Sequence, residues 1–249
     1  MPSFQIFSPA QIQSLRKGGS ILRACLDHTS SLVRPGVTTA ELDRTAEEFI
    51  RSHDGARPAF KGYRGFPATL CISINDECVH GIPGKRVIRE GDLVSLDCGV
   101  ILDNLYTDAA VSVGAGKVDK RVTHLLTVTN GCLDEGVARV KPGAHIGDIS
   151  QAVQDCAYGG SCTPIKALTG HGLGTNLHQY PDVPNIGKSG TGPALPAWTM
   201  IAIEPIISEG NGSIVTDDDG WTIRTGDGHL CSHSEHSVLV TEDGHEIIA

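Results

Sequence analysis

Aromatic side chains are scarce: five Phe, four Tyr and two Trp among 249 residues. With so few, any one of them is as easily claimed by the core as by a binding pocket. No run of eighteen apolar residues occurs, which excludes a membrane-spanning helix. A basic face is also missing. The net charge is −9 and the sequence pI about 5.6, so phosphate or nucleic-acid binding is not expected. The eight cysteines form no CxxC pair, which excludes a Cys-rich zinc finger. The start, MPSFQIFSPAQIQ, has no basic segment followed by an apolar one, so export is not expected. Free thiols in a reducing, cytoplasmic compartment are the corresponding expectation. Otherwise 39% hydrophobic and 20% charged residues are ordinary for a globular chain long enough to bury a sizeable core.

Helical punctuation comes twice. Ser8-Pro9 reads as an N-cap with proline in the first turn, followed by a stripe of Ile12, Leu15, Gly19, Leu22, Leu26, Thr29 and Val33. Thr38 and Glu41 form a capping box ahead of Leu42, Ala46 and Phe49. Asp119 then caps a helix carrying Val122, Leu126, Leu133, Val137 and Val140, and Ile149, Val153 and Cys156 mark another. Adding a constant 107 to Pro35, Gly36, Glu41, Leu42 and Ala46 gives Pro142, Gly143, Asp148, Ile149 and Val153. Because the helical stripes align along with the turns, a duplicated half is favoured over chance. Strands follow each helix pair: DLVSLDCGVILDNLYTDAAVSV turning at Asp103-Asn104, MIAIEPII as one strand, SIVTDDDGWTIRT as a hairpin turning at Asp219-Gly220, and EHSVLVT. The expected architecture is α+β, with helices covering one face of a curved antiparallel sheet and a pseudo-twofold between halves. The expected organisation is a single domain over 1–249, with a short N-terminal segment 1–7 and halves of approximately 8–113 and 114–249.

Four acids interrupt apolar strands. If Asp103-Asn104 make a two-residue turn, Asp97 lies opposite Ala110 and Asp108 opposite Gly99, and both carboxylates leave the same face. Two buried like charges at that spacing need a proton or a cation between them. The offset of 107 carries Asp97 onto Glu204, and Glu235 opens the EHSVLVT strand. One such acid is usually a cap or a paired core group; four together point to a metal site. Oxygen donors with one or two imidazoles suit divalent Mn, Fe, Co or Zn in an open catalytic site, not a closed thiolate zinc site.

The stretch LTGHGLGTNLHQYPDVPN places His171 and His178 seven residues apart. A helix-borne metal pair stands four apart, so this spacing does not put both rings on one ion. Taken singly, each reads as a satisfied core histidine, but the glycines of GHGLG are wasteful in a packed strand and allow close backbone approach. His28, His53, His124, His145, His229, His233 and His245 have no spacing that asks for a role, and His236, next to Glu235, should point away from the acids. Asp217-Asp218-Asp219 reads as a solvated turn.

Five ordered blocks, CISINDECVHGIPG, SLDCGVILDNLYTDAA, GHGLGTNLHQYPDVPN, IAIEPII and SEHSVLVT, resemble the type I methionine aminopeptidases, metalloenzymes of the pita-bread fold. The resemblance runs from the Ser8 helix to the final strand. It implies two divalent ions held by Asp97, Asp108, His171, Glu204 and Glu235, with Asp108 and Glu235 bridging, Asp97 on one ion, and His171 with Glu204 on the other. It further implies a bridging hydroxide as nucleophile, Glu204 as proton shuttle, His178 as donor to the developing oxyanion and His80 as donor to the scissile amide. A methionine pocket of Tyr63, Phe66, Cys71, His80, Leu177 and Trp221 follows from the same resemblance. So does an activity: a monomeric, cytosolic enzyme removing initiator methionine from peptides and nascent chains with a small second residue, in passing contact with the ribosome. Gln179 stands where glutamate is usual, Phe60 where a small or thiol-bearing residue often sits, and Leu177 where an aromatic is common; these bear on pocket shape and leave the ligand set whole. The rivals are an Xaa-Pro peptidase of the same fold, whose relatives usually carry an additional N-terminal domain, and a non-catalytic binding module, whose relatives lose metal ligands. Read without the resemblance, Tyr63, Phe66 and Trp221 are equally core residues, and Cys71 an inert buried thiol.

Overall fold

Hydrogen bonds at the helix starts follow the sequence signals closely. In the computed structural model, which describes residues 3–249, helix α1 (Pro9–Ser31) opens with Ser8 Oγ accepting from the Gln11 N–H, while the Ser8 N–H donates to Gln11 Oε1 at 2.9 Å. Helix α2 (Thr39–Arg51) has the expected capping box, the Thr38 N–H donating to Glu41 Oε2 at 2.7 Å. The strands β1 (Arg57–Pro58), β2 (Leu70–Ile74), β3 (Glu77–Val79), β4 (Leu93–Leu102) and β5 (Leu105–Gly114) complete the first half.

The rest of the chain again opens on two helices, followed here by ten strands. Helix α3 (Lys120–Val137) starts at Asp119, whose carboxylate accepts from the Val122 N–H at 2.9 Å. Helix α4 (Ile146–Gly159) is followed by β6 (Thr163–Pro164), β7 (Thr169–Gly172), β8 (Gln179–Pro184), β9 (Met200–Ile203), β10 (Ile206–Ser208), β11 (Ile214–Thr216), β12 (Ile223–Thr225), β13 (Cys231–His233), β14 (His236–Val240) and β15 (His245–Ile247).

All pairings are antiparallel. One sheet runs β1-β4-β2 with β5 against β4, and the largest runs β15-β14-β9-β7-β8. The bridge Ala110↔Glu235 ties them together. Two three-stranded sheets, β13-β10-β6 and β11-β12-β3, complete the strand pairing.

Alternation along β4 sorts its side chains. Val94, Leu96, Cys98 and Val100 pack with Leu22, Leu26, Leu42 and Ala46 of α1 and α2. Ser95, Asp97 and Gly99 therefore turn to the face away from the helices. In the other half, Leu133 and Val137 of α3 and Ile149 of α4 pack on Ile201, Ile203 and Val238. The result is the expected α+β arrangement, and all eight cysteines are free.

Three sequence expectations need correction. MIAIEPII is two strands: Pro205 has no N–H for a ladder, the chain breaks at Glu204-Pro205, and β9 and β10 belong to different sheets. In α3 the fully buried leucine is Leu125, with Leu126 only half-buried. The β11–β12 hairpin pairs Thr216 with Ile223, so residues 217–222 form a longer loop. Two of its three acids are engaged: Asp217 pairs with Arg224, and Asp219 accepts from the Trp221 and Thr222 N–H groups at 2.8 Å each.

Gly19 in the α1 stripe marks a close approach. A Cβ there would lie 2.2 Å from the Ile248 carbonyl oxygen and 2.6 Å from Ile248 Cγ2. Gly19→Val is expected to lower stability by roughly 1–3 kcal/mol through overpacking. Urea unfolding measures this, with Gly84→Ala, where a Cβ meets nothing within 4 Å, as the background.

Candidate metal centre

The β4–β5 hairpin has the register the turn residues imply. Asp103 and Asn104 adopt φ of 50° and 61°, as a two-residue hairpin turn requires. Asp97 faces Ala110 and Asp108 faces Gly99, so both carboxylates leave the face opposite the helices. Gly99 leaves room beside Asp108 for the Phe60 ring, since a Cβ there would meet Phe60 Cε1 at 2.8 Å. Glu235 arrives across the Ala110 bridge, its N–H donating to Ala110 O at 2.9 Å. Glu204 sits at the break between β9 and β10, its carbonyl accepting from Asn185 Nδ2 at 2.9 Å. His171 lies on β7, next to β9 in the sheet.

These five groups line one cavity of about 170 Å³ together with Phe60, Tyr63, Phe66, Cys71, His80, Leu177, His178 and Trp221. Every residue the resemblance named for ligation, catalysis or the pocket therefore borders a single space. Arg64, Val79 and His233 border it as well, and the sequence reading assigned none of them a role. For His233 a signal existed: residues two apart on an extended segment share a face, which places it with Glu235. By the same rule His236 turns away, and its Nδ1 bonds to Ala249 O at 2.8 Å.

The donor set fits divalent cations. Oδ1 of Asp97, Oδ1 of Asp108 and Oε1 of Glu235 are buried without a hydrogen-bond partner among the described residues, a state expected to be costly. His171 Nδ1 donates to Gly172 O at 3.0 Å. A carbonyl only accepts, so the neutral ring carries its proton there and turns a lone pair at Nε2 toward the acids. Nε2 stands 3.6 Å from Glu204 Oε1 and 3.9 Å from Asp108 Oδ2. These separations exceed a hydrogen bond. They match two donors on one ion, which at ligand distances of ~2.0–2.2 Å stand about 3 to 4 Å apart. One atom each from Asp108, His171 and Glu235 lies within 4.8 Å of the others.

Burial controls the protonation of these groups. It raises Asp97 to about 7, with the neighbouring Cys71 and Asp108 holding it down. Burial first, then the charges of Asp97 and Glu204, pushes Asp108 well above the carboxylate range. Glu204 is raised by burial and by Asp97, and Glu235 by burial and by Asp108, Glu204 and Asp97. Burial lowers His171 from 6.5 to about 4, His178 to about 3 and His233 to about 3. His80 is lowered by burial as well.

The substrate-side groups are held from outside the acid cluster. Tyr63 Oη is 3.1 Å from His178 Nδ1, and the His178 ring lies 4.2 Å from that of His171, centroid to centroid. Gln179 joins a frame behind His178: its Nε2 donates to Gln5 Oε1 at 3.0 Å and its Oε1 accepts from the Asn176 N–H at 3.2 Å. Gln5 Oε1 also accepts from the Thr175 N–H at 3.1 Å. An amide suits this position because Gln179 both donates and accepts, which a carboxylate cannot do. Trp221, fixed by Asp219, meets Phe66 edge-on at 5.2 Å.

The metal-free protein should respond to pH in a defined sense. Above about pH 7 the histidines are largely neutral both folded and unfolded. Below the range in which unfolded thiols ionise, the acids, protonated in the fold and ionised when unfolded, then dominate, so stability falls as pH rises toward their folded values. Between 4.5 and 6.5 the histidines, charged only when unfolded, act in the opposite sense. Thermal midpoints of metal-free protein are expected to drop from about pH 7 to about 8, and saturating Mn(II) or Co(II) to remove that drop. A flat metal-free profile would contradict the burial of four acids. Asp108→Asn is expected to fold with an unchanged or higher metal-free midpoint while losing metal affinity in calorimetric titration.

Comparison with known proteins agrees with this geometry. The sequence model of metallopeptidase family M24 matches residues 13–242. A methionine aminopeptidase of Clostridium perfringens is 42% identical over 238 residues, covering 96% of this chain and 95% of its own. The crystal structure of methionine aminopeptidase from Thermotoga maritima superposes with a TM-score of 0.97 at 38% identity, covering 99% of both chains. A prolidase from Pyrococcus furiosus shares the fold at 18% identity and a TM-score of 0.78, with 64% of its chain covered. The chain thus belongs to metallopeptidase family M24 and has the pita-bread fold of its methionine aminopeptidases.

Proposed function

We propose that this cavity removes the N-terminal methionine from peptides and nascent chains whose second residue is small, with Asp97, Asp108, His171, Glu204 and Glu235 holding two divalent ions. The observation that carries the reading is the meeting of buried acids and imidazoles with an apolar, aromatic wall in one small cavity. Its volume of about 170 Å³ falls below the ~300–1,000 Å³ of drug-sized sites, and so suits one side chain and its peptide bond. Phe66, Trp221 and Tyr63 offer ring edges and faces of the kind that thioether sulfur contacts favourably.

Divalent ions in such a site polarise a carbonyl and make water nucleophilic near neutral pH. Glu204 carries the proton from the attacking water to the leaving amine, as a carboxylate beside the reacting water can. With the Tyr63 hydroxyl donating to Nδ1 of His178, the ring proton stands on Nε2 and donates to the carbonyl oxygen as charge develops. His80, on a left-handed backbone position with φ of 61°, donates to the scissile amide. No helix among the described residues is long and apolar enough to cross a membrane. A monomeric, cytoplasmic enzyme in passing contact with the ribosome completes the reading.

Met-Ala-Ser and Xaa-Pro-Ala, assayed side by side, separate this activity from a proline-specific one. Cleavage of the first alone, restored by Mn(II), Fe(II), Co(II) or Zn(II) after chelation, is expected. Cleavage of the second alone would assign the chain to Xaa-Pro hydrolysis. Inertness with every metal would favour a binding module. His178→Ala is expected to lower kcat on the order of a hundredfold with metal content by elemental analysis unchanged.

A further inference from the structure

We infer that His233 is a second imidazole ligand of the centre, its Nε2 binding the cation held between Glu204 and Glu235. The inference rests on the metal-centre reading above and adds a donor that the resemblance did not supply.

The backbone at His233 is pinned. It pairs with Ile206 on β10. Its N–H donates to Ser112 Oγ at 3.1 Å, and its carbonyl accepts from the same hydroxyl at 2.6 Å. The residue is 2% exposed. Its Nε2 is buried with no hydrogen-bond partner among the described residues, and stands 3.7 Å from Glu204 Oε2 and 3.7 Å from Glu235 Oε2.

This is the relation His171 has to its own acids, at 3.6 Å and 3.9 Å. The two imidazoles approach Glu204 at different oxygens, His171 at Oε1 and His233 at Oε2. A distance of 3.7 Å is too long for a hydrogen bond to either carboxylate. It is about the separation of two donors on one ion. A buried ring nitrogen without any partner is unfavourable. A cation between the carboxylates gives Nε2 a partner without moving the pinned backbone.

Cobalt X-ray absorption on protein loaded with two equivalents of Co(II) tests the inference by counting imidazoles. The unaltered protein is expected to show scattering from two imidazoles per pair of ions, which requires no variant to fold. His233→Gln is expected to show one, and to bind one of the two ions at least about tenfold more weakly in calorimetric titration. One imidazole per pair of ions in the unaltered protein overturns the role of His233 and leaves the five-residue centre standing. An unaltered protein that takes up no Co(II) overturns both.

Discussion

Four carboxylates share one buried space with no cation of the chain's own among the described residues that line it. No lysine lines the cavity, and Arg64, its one arginine, is exposed to solvent. Burial alone raises each acid, and the charges of the others raise Asp108, Glu204 and Glu235 further. Ionising all four together without a counter-charge would cost far more than the few kcal/mol by which folds are stable. The arrangement is tenable only with protons or external cations on the acids. Unpartnered oxygens on Asp97, Asp108 and Glu235 favour cations, because a proton satisfies one oxygen and leaves the others without a donor.

Both halves of the chain are needed to assemble the cluster. Asp97 and Asp108 come from one hairpin of the first half, fixed by ten residue pairs in unbroken register. His171, Glu204 and Glu235 come from the second half, through three different segments. The Ala110–Glu235 bridge and the bonds between Ser237 Oγ and the Asp108 backbone, at 2.9 and 2.7 Å, lock the halves at that point. The helices stay on the far face, so the cavity forms where the sheets meet and where polar groups already interrupt the strands.

Features governed by short-range periodicity were legible in the sequence. Ser8, Thr38 and Asp119 cap the helices they were expected to cap. The turn at Asp103-Asn104 sets which acids face each other, because a two-residue loop leaves one register open. Glu204 was recognisable as an acid in an apolar strand, although its strand breaks there: Pro205 removes a ladder donor, a local effect that the apolar run concealed. His233 was missed because its partners are distant. Only its spacing of two from Glu235 points inward, and alternation that was applied to His236 applies equally to it. Arg64 has no period to follow; it lies in a turn with left-handed φ of 50°, over the Tyr63 ring at 5.3 Å. The frame around Gln179 has no signal in the sequence, because its partner, Gln5, lies 174 residues away and no local pattern joins them.

The protonation of the acids also bears on which cation the chain selects. Acids that hold protons must release them on binding, so affinity rises with pH over the range in which the folded carboxylates titrate. Oxygen donors alone would admit magnesium and calcium, which accept carboxylate and water readily. Imidazole nitrogen suits zinc, iron and nickel better, and each ring that turns a lone pair inward shifts the set away from the alkaline-earth ions. His171 does so because Gly172 O fixes its tautomer. A second ring at His233 would deepen that bias on the Glu204 side of the cluster, while Asp97, whose neighbours are Cys71 and Asp108, keeps the other side oxygen-rich. Two ions in such a centre would therefore differ in affinity and in exchange rate, an asymmetry that follows from where the two imidazoles enter an otherwise acidic cavity.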